Sequence, residues 1–528
     1  MNSIGGMLRE HGIEIDMCLL ERNSHINGKR LCRHSGSFPV LLLKINFQDY
    51  ERNMGLAIEA KRAGLFQRIF VCGPFASLNA QRVIEFYPEL DGIILGEGEE
   101  TALELVKALQ HDPMNYTWPV NIRGGLWRDP VTGEIIEAEP RIPTLSLDQL
   151  PFPVREVEKK ERAALANLEA SRGCLANCSF CHIPAMRSFE ENTAPRRVKS
   201  VQRVVDEMES LRYEYSKNFL IFNDSIFWGS DRDNERLIEL ANEIHRRKLK
   251  VRYMVYLRCH PFPPEEVLQA LAESGLIRVF LGVESGTKDT LKLFKKGIKT
   301  DAYHDVKEKL EVYGVSHHIG FIVFHPFSKV EDVKTNIEYL YHMNKLFRVG
   351  VIIEKIRLLP GSGMHQLVQP PEDVDLSSIV DLAYQYRFTS GEVRALHEGF
   401  TLIFNHVLKK SYMDMEFFCT NTDLAIHMVL REDPKFKLTH FRQWQYFLEQ
   451  KQQYQDLLLR YFEECIEGVQ HGWSESEVSS PVLHRYFIQN YWRLYHRLQL
   501  AWGNLLETIR VHHGPEIPDT LFTGEESV

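Results

Sequence analysis

Three cysteines, Cys174, Cys178 and Cys181, lie within one segment of eight residues that follows the strand-like segment 167–171. Cysteine thiolates are the usual ligands of iron–sulfur clusters, and three of them can hold three irons of a four-iron, four-sulfur cube. The fourth iron then has no cysteine nearby and is open to an exchangeable ligand. A cluster that carries out chemistry needs such an open iron, whereas a pure electron carrier does not. The spacing therefore predicts a reactive [4Fe–4S] cluster.

A structural zinc site is the alternative interpretation of this segment, with His182 as a possible fourth ligand. Zinc sites usually take their ligands in two pairs from separate turns, whereas these cysteines share one short loop and no second C-x2-C pair occurs in the sequence. The remaining cysteines are scattered, at Cys18, Cys32, Cys72, Cys259, Cys419 and Cys465. Their odd total of nine and their wide separation indicate reduced thiols rather than a disulfide framework.

The composition is that of a globular protein with more than one domain. At 528 residues the chain is too long for one compact core, and its 44% hydrophobic and 26% charged residues are ordinary. No apolar run approaches the roughly 18 residues of a membrane span, and the first residues lack a signal-peptide profile. With the reduced cysteines, these features indicate a cytoplasmic protein. The net charge of −9 argues against binding to nucleic acid, which needs a basic surface.

Residues 1–112 alternate between helix-like and strand-like segments, which predicts a doubly wound α/β domain with a parallel sheet. After an amphipathic segment at 4–12, the predicted strands are 13–19, 39–46, 68–72 and 92–95, and the predicted helices are 52–62 and 99–108. The loops 73–77 and 96–100 follow two of these strands, where doubly wound folds bind ligands. Glycine lets the backbone approach a ligand closely. Tight turns explain the same loops equally well.

The rest of the chain divides into three further predicted regions. Residues 113–160 form a connector, with a hairpin turn at 128–133 and an extended, proline-spaced link at 147–153. Residues 161–374 return to alternation, with about six strand–helix units. The predicted strands are 167–171, 218–222, 251–255, 278–281, 318–323 and 349–358, and the predicted helices are 201–211, 233–246, 264–274, 288–294, 302–313 and 329–343. Residues 375–528 are predicted to be helical, with an apolar stripe from Phe487 to Trp502 that packing explains.

The spacing C-x3-C-x2-C resembles the cluster motif of the radical S-adenosylmethionine (SAM) enzymes. The resemblance implies that the central region is a partial (β/α)6 barrel with its site at the carboxyl ends of the strands. It also implies a [4Fe–4S] cluster and SAM as cofactors, with the methionine portion of SAM chelating the open iron. In that family an electron from the cluster cleaves the sulfonium to a 5'-deoxyadenosyl radical. An external electron donor of flavodoxin or ferredoxin type is then required.

The same resemblance implies a set of residues that contact SAM. Polar groups follow the predicted strands, and the family's positions correspond to Asp224, Arg258, Glu284, Ser285, Gly320 and Ile322, with Phe180 in the cysteine loop near adenine. The fourth-strand motif would contact the ribose and amino-acid parts of SAM, and the fifth-strand motif would pack on adenine. Phe324 stands where that last motif usually ends in glycine. His317, His318 and His325 flank the fifth strand and are candidates for proton transfer or substrate contact.

The amino-terminal region resembles the cobalamin-binding domain that precedes the radical domain in a large subgroup of this family. A G-G-x-x-x-T/S turn and a G-E-G-E loop recur in that domain, and the matching residues here are Gly73, Ser77, Gly96, Glu97 and Gly98, with Pro74 in place of the second glycine. The chain begins at what resembles the first helix of the domain, so the usual opening strand is expected to be missing. The D-x-H-x-x-G motif is absent, so a histidine ligand to cobalt is not implied. Arg196 and Arg197 resemble a basic segment that follows the cluster loop in this subgroup, although a solvated or helix-capping role is equally plausible.

Both resemblances together imply a cobalamin-dependent radical SAM methyltransferase. In such enzymes methylcobalamin donates a methyl group to a substrate radical, and a second SAM remethylates the cobalamin. Characterised relatives with this layout mostly methylate unactivated carbon in natural-product or lipid precursors, so the expected substrate is a small molecule or a peptide. An alternative within the family is radical cyclisation or rearrangement without methyl transfer.

Two other functions are weighed against these. The run 172–184 also resembles the methylthiotransferases, but those enzymes have three more cluster cysteines and a carboxyl-terminal RNA-binding barrel, where this chain has no cysteines at suitable spacing and is predicted to be helical. An alternative of another class is a non-catalytic regulator that binds zinc or cobalamin. Such a regulator would keep its full function after Cys178→Ala, whereas a radical enzyme would lose SAM cleavage.

Overall fold

The computed structural model describes residues 2–17, 39–45, 50–111, 122–156, 165–189, 193–368, 386–432, 435 and 441–513. The chain forms two compact units. The first unit comprises 1–162, 171–203 and 357–385, and the second unit comprises 163–170, 204–356 and 386–528. The strands are β1 (Val40–Lys44), β2 (Arg68–Cys72), β3 (Gly92–Ile94), β4 (Gly125–Arg128), β5 (Ile135–Glu137), β6 (Leu165–Leu168), β7 (Ser171–Gly173), β8 (Arg196–Val198), β9 (Phe219–Phe222), β10 (Arg252–Arg258), β11 (Leu276–Glu284) and β12 (Ser316–Phe321). The boundaries between the four predicted regions stay a prediction.

The first unit contains a five-stranded sheet in the order β1–β2–β3–β4–β5. Strands β1, β2 and β3 pair in parallel, and every residue of β2 is buried, because helices cover both faces of the sheet. Ile69 and Val71 belong to the core of one face, and Phe70 belongs to the core of the other. The covering helices are Tyr50–Arg62 and Ala80–Phe86 on the first face and Asn2–Glu10 and Glu99–His111 on the second. The predicted doubly wound domain is confirmed.

An antiparallel hairpin of β4 and β5 extends this sheet, because β4 pairs with β3. The predicted turn forms: the Asp129 carboxylate accepts the N–H groups of Val131 and Thr132 at 2.8 and 2.7 Å. The hairpin predicted within the connector therefore completes the sheet of the preceding region. The predicted strand 13–19 does not form in its described part, since 13–17 adopt no regular structure, and 18–19 lie outside the described residues.

The second unit contains five parallel strands in the order β12–β11–β10–β9–β6, which alternate with helices along the chain. This arrangement confirms the partial barrel. The alternating helices are Val201–Tyr213, Asn234–Arg246, Glu265–Glu273, Lys288–Leu293, Ala302–Val312 and Val330–His342. The carboxyl-terminal region is helical as predicted, with helices Gly391–Leu402, Tyr412–Glu432, Phe441–Gln470, Glu475–Val478 and Arg485–His513. Four members of its aromatic and apolar stripe, Phe487, Tyr491, Leu494 and Leu498, are buried.

The predicted sixth strand, 349–358, is wrong. Val349–Ile353 form a short helix, and the strand-like residues that follow it form only isolated bridges, one of them parallel between Phe324 and Lys355. A short apolar run does not distinguish a buried strand from a buried helix. Here Glu416, on the helix Tyr412–Glu432, accepts the N–H of Gly350 at 3.2 Å and so satisfies a donor of the first helical turn.

Two short helices lie next to the segments that carry the candidate functional residues. Pro74–Leu78 follows β2, and Ile183–Met186 follows the cysteine loop. A further short helix, Gly363–Leu367, belongs to the last segment of the first unit. Among the described residues, no helix combines the length and the apolar character that crossing a membrane requires.

The close approach of β3 to β4 predicts an effect of Gly92→Ala. Gly92 lies directly opposite Trp127, and a Cβ at Gly92 would lie 2.4 Å from Cε3 of the buried Trp127 ring. We expect the substitution to lower the free energy of unfolding by about 1–3 kcal/mol, the usual cost of overpacking a core. Gly55→Ala is the matched control, because its Cβ would enter open space on the helix Tyr50–Arg62. Thermal unfolding of both variants tests this, and an equal effect of the two would contradict it.

Candidate cluster loop and cofactor-binding residues

Two short strands of the first unit fix where the cysteine loop begins. Strand β7 ends at Gly173 and pairs antiparallel with β8. Gly173 has a φ of +85°, and a Cβ there would lie 2.2 Å from the carbonyl oxygen of Pro195. Only glycine fits such a close approach of two backbones at a left-handed φ. The sequence Arg172-Gly173-Cys174 therefore places the first cysteine directly after a rigid strand pair.

The three cysteine side chains are thiols, with Cys178 buried and Cys174 and Cys181 partly exposed. The N–H of Ala176 donates to Sγ of Cys174 at 3.4 Å, and the N–H of Ile183 donates to Sγ of Cys181 at 3.5 Å. Hydrogen bonds to sulfur stabilise thiolates and tune iron–sulfur clusters. The loop thus supplies three thiols, the donor type that a cluster with three cysteine ligands requires. Within the described part of the chain, no group of three His, Cys, Asp or Glu side chains is arranged to hold a metal ion.

Contacts from neighbouring segments hold the loop. Arg187 donates to the carbonyl of Ala176 at 2.9 Å and also to that of Cys174. The N–H of Met364 donates to the carbonyl of Ser179 at 2.7 Å. Phe180 is half-buried in the loop. Burial lowers the pKa of His182, the fourth ligand of the zinc interpretation.

The two loops predicted to contact cobalamin lie side by side in the first unit. Oγ of Ser77 accepts the N–H of Gly96 at 3.0 Å and donates to the carbonyl of Gly73 at 3.1 Å. Gly73 and Gly96 have φ values of +102° and +64°, which favour glycine. A Cβ at Gly98 would lie 3.0 Å from Ile4 and Ile94 side-chain atoms, so this glycine permits close packing.

The glutamates of the second loop form ion pairs with arginines that flank the cysteine loop. Nη1 of Arg172 lies 2.9 Å from Oε2 of Glu97, and Nη2 of Arg172 lies 2.8 Å from Oε1 of Glu99. Arg197 of β8 pairs with the other oxygen of Glu97. Burial raises the pKa of Glu99, but attraction to Arg172 and its hydrogen bond lower it more, so the pKa lies below its usual value. Sequence reasoning missed Arg172, because its partners lie more than 70 residues away.

In the second unit, Glu284 ends β11 in a left-handed conformation, with a φ of +70°. Its Oε1 lies 2.6 Å from Nζ of Lys296, and both side chains are largely buried. A Cβ at Gly282 would lie 2.4 Å from that Nζ and 2.6 Å from that Oε1. Gly282 therefore leaves the room that the ion pair occupies. Sequence reasoning missed Lys296, whose signal is only its place in the lysine-rich run that follows the helix Lys288–Leu293.

The other predicted SAM-contacting residues of the second unit are held by hydrogen bonds and by strand pairing. Nε of Arg258 donates to the carbonyl of His260 at 3.1 Å, and the guanidinium also donates to the carbonyl of Lys296. Asn336 accepts from Oγ of Ser285 at 3.0 Å. In the fifth-strand motif, the N–H of Ile322 donates to the carbonyl of Glu284 at 2.8 Å, and Gly320 pairs with Gly282 of β11. After the second predicted strand, Asp224 accepts the N–H of Ala170 at 3.0 Å.

Phe324, the residue in place of the family's last motif glycine, is fully buried. Its ring contacts the rings of Phe388, His397 and Phe400, with centroids 5.1–6.3 Å apart. The aromatic side chain therefore belongs to the core that joins β12 to the carboxyl-terminal helices.

Of the three histidines near β12, His325 is buried, and His317 and His318 are half-buried. Burial lowers the pKa of His325 to about 4, and its two ring nitrogens lie 3.2 Å from Oγ1 of Thr290 and 3.3 Å from the N–H of Phe327. Nε2 of His317 lies 2.6 Å from the hydroxyl of Tyr303, and burial lowers the pKa of both His317 and His318. These contacts favour a structural role for His325 and His317 over the proton transfer that the sequence suggested.

The predicted site residues thus fall into two groups. The cysteine loop, Gly73, Ser77, Gly96, Glu97 and Gly98 belong to the first unit, and Asp224, Arg258, Glu284, Ser285, Gly320 and Ile322 belong to the second. Within each unit most of them are linked by the contacts above. Their cofactor contacts stay proposals.

Residues 168–340 contain most strands and helices of the partial barrel and the cysteine loop. They match the model of the radical SAM superfamily. The chain carries a radical SAM domain. Members of this superfamily use a [4Fe–4S] cluster and SAM, the cofactors that the sequence predicted.

The chain is also similar in sequence to named relatives. The chain is 28% identical over 281 residues to an uncharacterized methyltransferase of Pyrococcus horikoshii, which covers 52% of this chain and 58% of the relative. It is 26% identical over 293 residues to the 4'-phospho-dehydrooxetanocin synthase of Priestia megaterium, which covers 52% of this chain and 38% of the relative. The matches thus span about a third to two thirds of the length of these relatives.

The fold is similar to that of the cobalamin-dependent SAM radical enzyme OxsB, whose structure holds aqua-cobalamin and SAM. The match has a TM-score of 0.66 and covers 97% of this chain and 77% of OxsB, at 17% identity. The similarity therefore extends beyond the radical SAM domain to the fold of nearly the whole chain.

The ion pair of the radical SAM domain predicts a large effect of Lys296→Met. This substitution leaves the buried Glu284 carboxylate without its compensating charge, and we expect a loss of about 3–5 kcal/mol in the free energy of unfolding. Lys307→Met is the matched control, because Lys307 pairs with Glu311 at 3.7 Å on a more exposed surface and should cost only about 0.2–0.5 kcal/mol.

The double variant Lys296→Met/Glu284→Gln checks the cause of the loss. It should recover part of the stability, because it removes the uncompensated charge. Urea unfolding of the three variants supplies the measurement. Equal losses for Lys296→Met and Lys307→Met would contradict the structural importance of the buried pair.

Proposed function

We propose that the chain is a cobalamin-dependent radical SAM methyltransferase whose cluster is held by Cys174, Cys178 and Cys181. Its substrate would be a natural-product or lipid precursor, methylated at an unactivated carbon. When bound, the cluster and SAM supply a carbon-centred radical, and cobalamin supplies a carrier for the methyl group. The electrons would come from an external donor of flavodoxin or ferredoxin type.

The loop of three thiols is the observation that carries this proposal. Cysteines buried in apolar surroundings are usually inert, whereas two of these three are partly exposed. Two backbone N–H groups point at their sulfurs, which favours the thiolate form that metal ligation requires. The strand pair of β7 and β8 fixes the start of the loop, directly before Cys174.

The residues proposed to bind SAM supply the groups that its parts require. The Glu284 carboxylate can accept hydrogen bonds from ribose hydroxyls, and the ion pair with Lys296 fixes its direction. Ser285 offers a hydroxyl next to it. Gly320 and Ile322 would contact adenine through backbone groups, as the resemblance of the fifth-strand motif implies.

The residues proposed to bind cobalamin are those of the two adjacent loops in the first unit. Gly73 and Gly96 let the backbone approach a ligand, and Ser77 ties the two loops together. The similarity of fold to OxsB, which binds cobalamin, supports this part of the proposal.

Radical rearrangement or cyclisation without methyl transfer is the second candidate. A specific observation favours it, since one of the relatives is named a synthase and not a methyltransferase. Both candidates share the cluster and SAM cleavage and differ in the fate of the methyl group.

SAM cleavage by Cys178→Ala tests the shared part of the proposal. With dithionite as the electron source, we expect the wild-type chain to produce 5'-deoxyadenosine. Cys178→Ala removes a cluster ligand, so its activity should fall by more than the roughly 10- to 100-fold typical when a hydrogen-bond partner of a metal ligand is mutated. Cys465→Ala is the matched control, because Cys465 is a buried thiol of the carboxyl-terminal helices and should leave cleavage unchanged.

The same assay separates the candidates. With hydroxocobalamin added, a methyltransferase should also produce S-adenosylhomocysteine, whereas a non-methylating enzyme should produce 5'-deoxyadenosine alone. Undiminished cleavage by Cys178→Ala would contradict the proposal, and the absence of cleavage by the wild-type chain would favour a non-catalytic regulator.

A further inference from the structure

Arg172 bridges two carboxylates that the sequence assigned to cobalamin contact. One guanidinium nitrogen lies 2.9 Å from Glu97 and the other lies 2.8 Å from Glu99, while Arg197 holds the second oxygen of Glu97. The exposed fractions of these side chains are only 16% for Arg172, 14% for Glu97, 9% for Glu99 and 19% for Arg197. Two positive and two negative charges are therefore paired with little access to water. We call these four residues the clasp.

The clasp joins the start of the cysteine loop to the 96–99 loop. Arg172 lies two residues before Cys174, on the strand that fixes the start of the cysteine loop. Glu97 lies beside Gly96, whose N–H is bound by Ser77, and Glu99 begins the helix Glu99–His111. A shift of either loop would thus move the charges of the other.

The segment that follows the cysteine loop also approaches two glycines of the same unit closely. A Cβ at Gly96 would lie 3.0 Å from Cβ of Phe189, at the end of the segment that follows the cysteine loop. A Cβ at Gly361 would lie 3.0 Å from Cβ of Ala185 and 4.0 Å from Cδ2 of Leu78. The segment 183–189 therefore packs against the 96–99 loop at Gly96, and its helix Ile183–Met186 contacts the helix Pro74–Leu78.

The Glu97 carboxylate is already engaged within the clasp. Both of its oxygens accept from guanidinium groups, and removal of one partner would leave an uncompensated buried charge. A ligand that took Glu97 away from Arg172 and Arg197 would have to pay that cost. Glu97 is therefore better suited to positioning the loop than to contacting a ligand directly.

We propose that the clasp couples the cysteine loop to the 96–99 loop, so that binding of the iron–sulfur cluster raises the affinity for cobalamin, with Arg172 and Glu97 as positioning residues. This inference rests on the proposed function. A bound cluster immobilises the cysteine loop, the arginines carry that order to Glu97 and Glu99, and the second ligand then orders fewer groups when it binds.

The test compares the dissociation constant for hydroxocobalamin of the full chain with its reconstituted cluster and after removal of the iron by chelation. We define the coupling ratio as the second constant divided by the first. For the wild-type chain we expect a ratio of about 5 or more, the lower bound of typical coupling between sites. Arg172→Gln should bring the ratio to about 1, and Arg172→Lys should restore it only in part, because an ammonium does not reproduce the forked geometry of guanidinium.

Arg141→Gln is the matched control. Arg141 is a similarly buried arginine of the same unit, and it pairs with Glu104 and donates to Oγ1 of Thr101 at 2.8 Å. Both partners lie on the helix Glu99–His111, and neither belongs to the clasp. It should keep the wild-type ratio. A purely structural role of Arg172 would lower the melting temperature of both forms of the chain and leave the ratio unchanged, so the ratio separates positioning from stability.

Glu97→Gln provides a second variant of nearly the same shape. If Arg172→Gln does not fold by circular dichroism, Glu97→Gln decides, and we expect it also to reduce the ratio to about 1. The proposed coupling would be overturned if the wild-type chain had a ratio near 1, or if the decisive variant had the same ratio as the wild-type chain. Either result would leave the proposed function intact. A wild-type chain that binds neither iron nor cobalamin would instead overturn the proposed function.

Discussion

The compensation of buried charge is the constraint on which the candidate site depends. In the first unit, two guanidinium groups and two carboxylates hold the start of the cysteine loop against the loop that ends β3. Charges with so little access to water are stable only as pairs with good geometry. The ion pairs therefore hold Arg172 of β7 and Arg197 of β8, the strand pair that precedes and follows the cysteine loop. A loop that binds a cluster benefits from this, because ordered ligands lose less entropy when the metal arrives.

The second unit uses the same device at the carboxyl end of its sheet. Glu284 takes a left-handed backbone conformation at the end of β11, and Lys296 balances its charge at 2.6 Å. Gly282 leaves room for both groups. Backbone strain of this kind persists only where the surroundings hold it, and it is common at functional sites. Each unit thus presents polar groups whose directions are set before a ligand binds.

Much of this arrangement could be predicted from the sequence, because the signals were local. The bounds of β2 follow from its apolar residues between turn residues, and the hairpin turn follows from Asp129 and Gly133. The three cysteines could be grouped because they share one loop. The predicted strand 349–358 failed for the opposite reason: a side chain 66 residues away, Glu416, supports the helix that forms there.

The residues that sequence reasoning missed also have partners far away in the sequence. In the sequence Arg172 is an ordinary flank of the cysteine motif, and only the fold brings it beside Glu97 and Glu99, about 75 residues earlier. Lys296 had no visible partner because Glu284 was assigned to SAM contact alone. Spacing reveals ligands that lie in one loop, whereas ion pairs between segments depend on packing that no short pattern contains.

The metal content of the chain tests the central claim most directly. The chain should be purified without oxygen, with cobalamin available, and its iron, cobalt and zinc should be measured per polypeptide. The proposed methyltransferase predicts about four irons and nearly one cobalt. Iron without cobalt would point to a radical enzyme that does not methylate, and zinc alone would contradict the account.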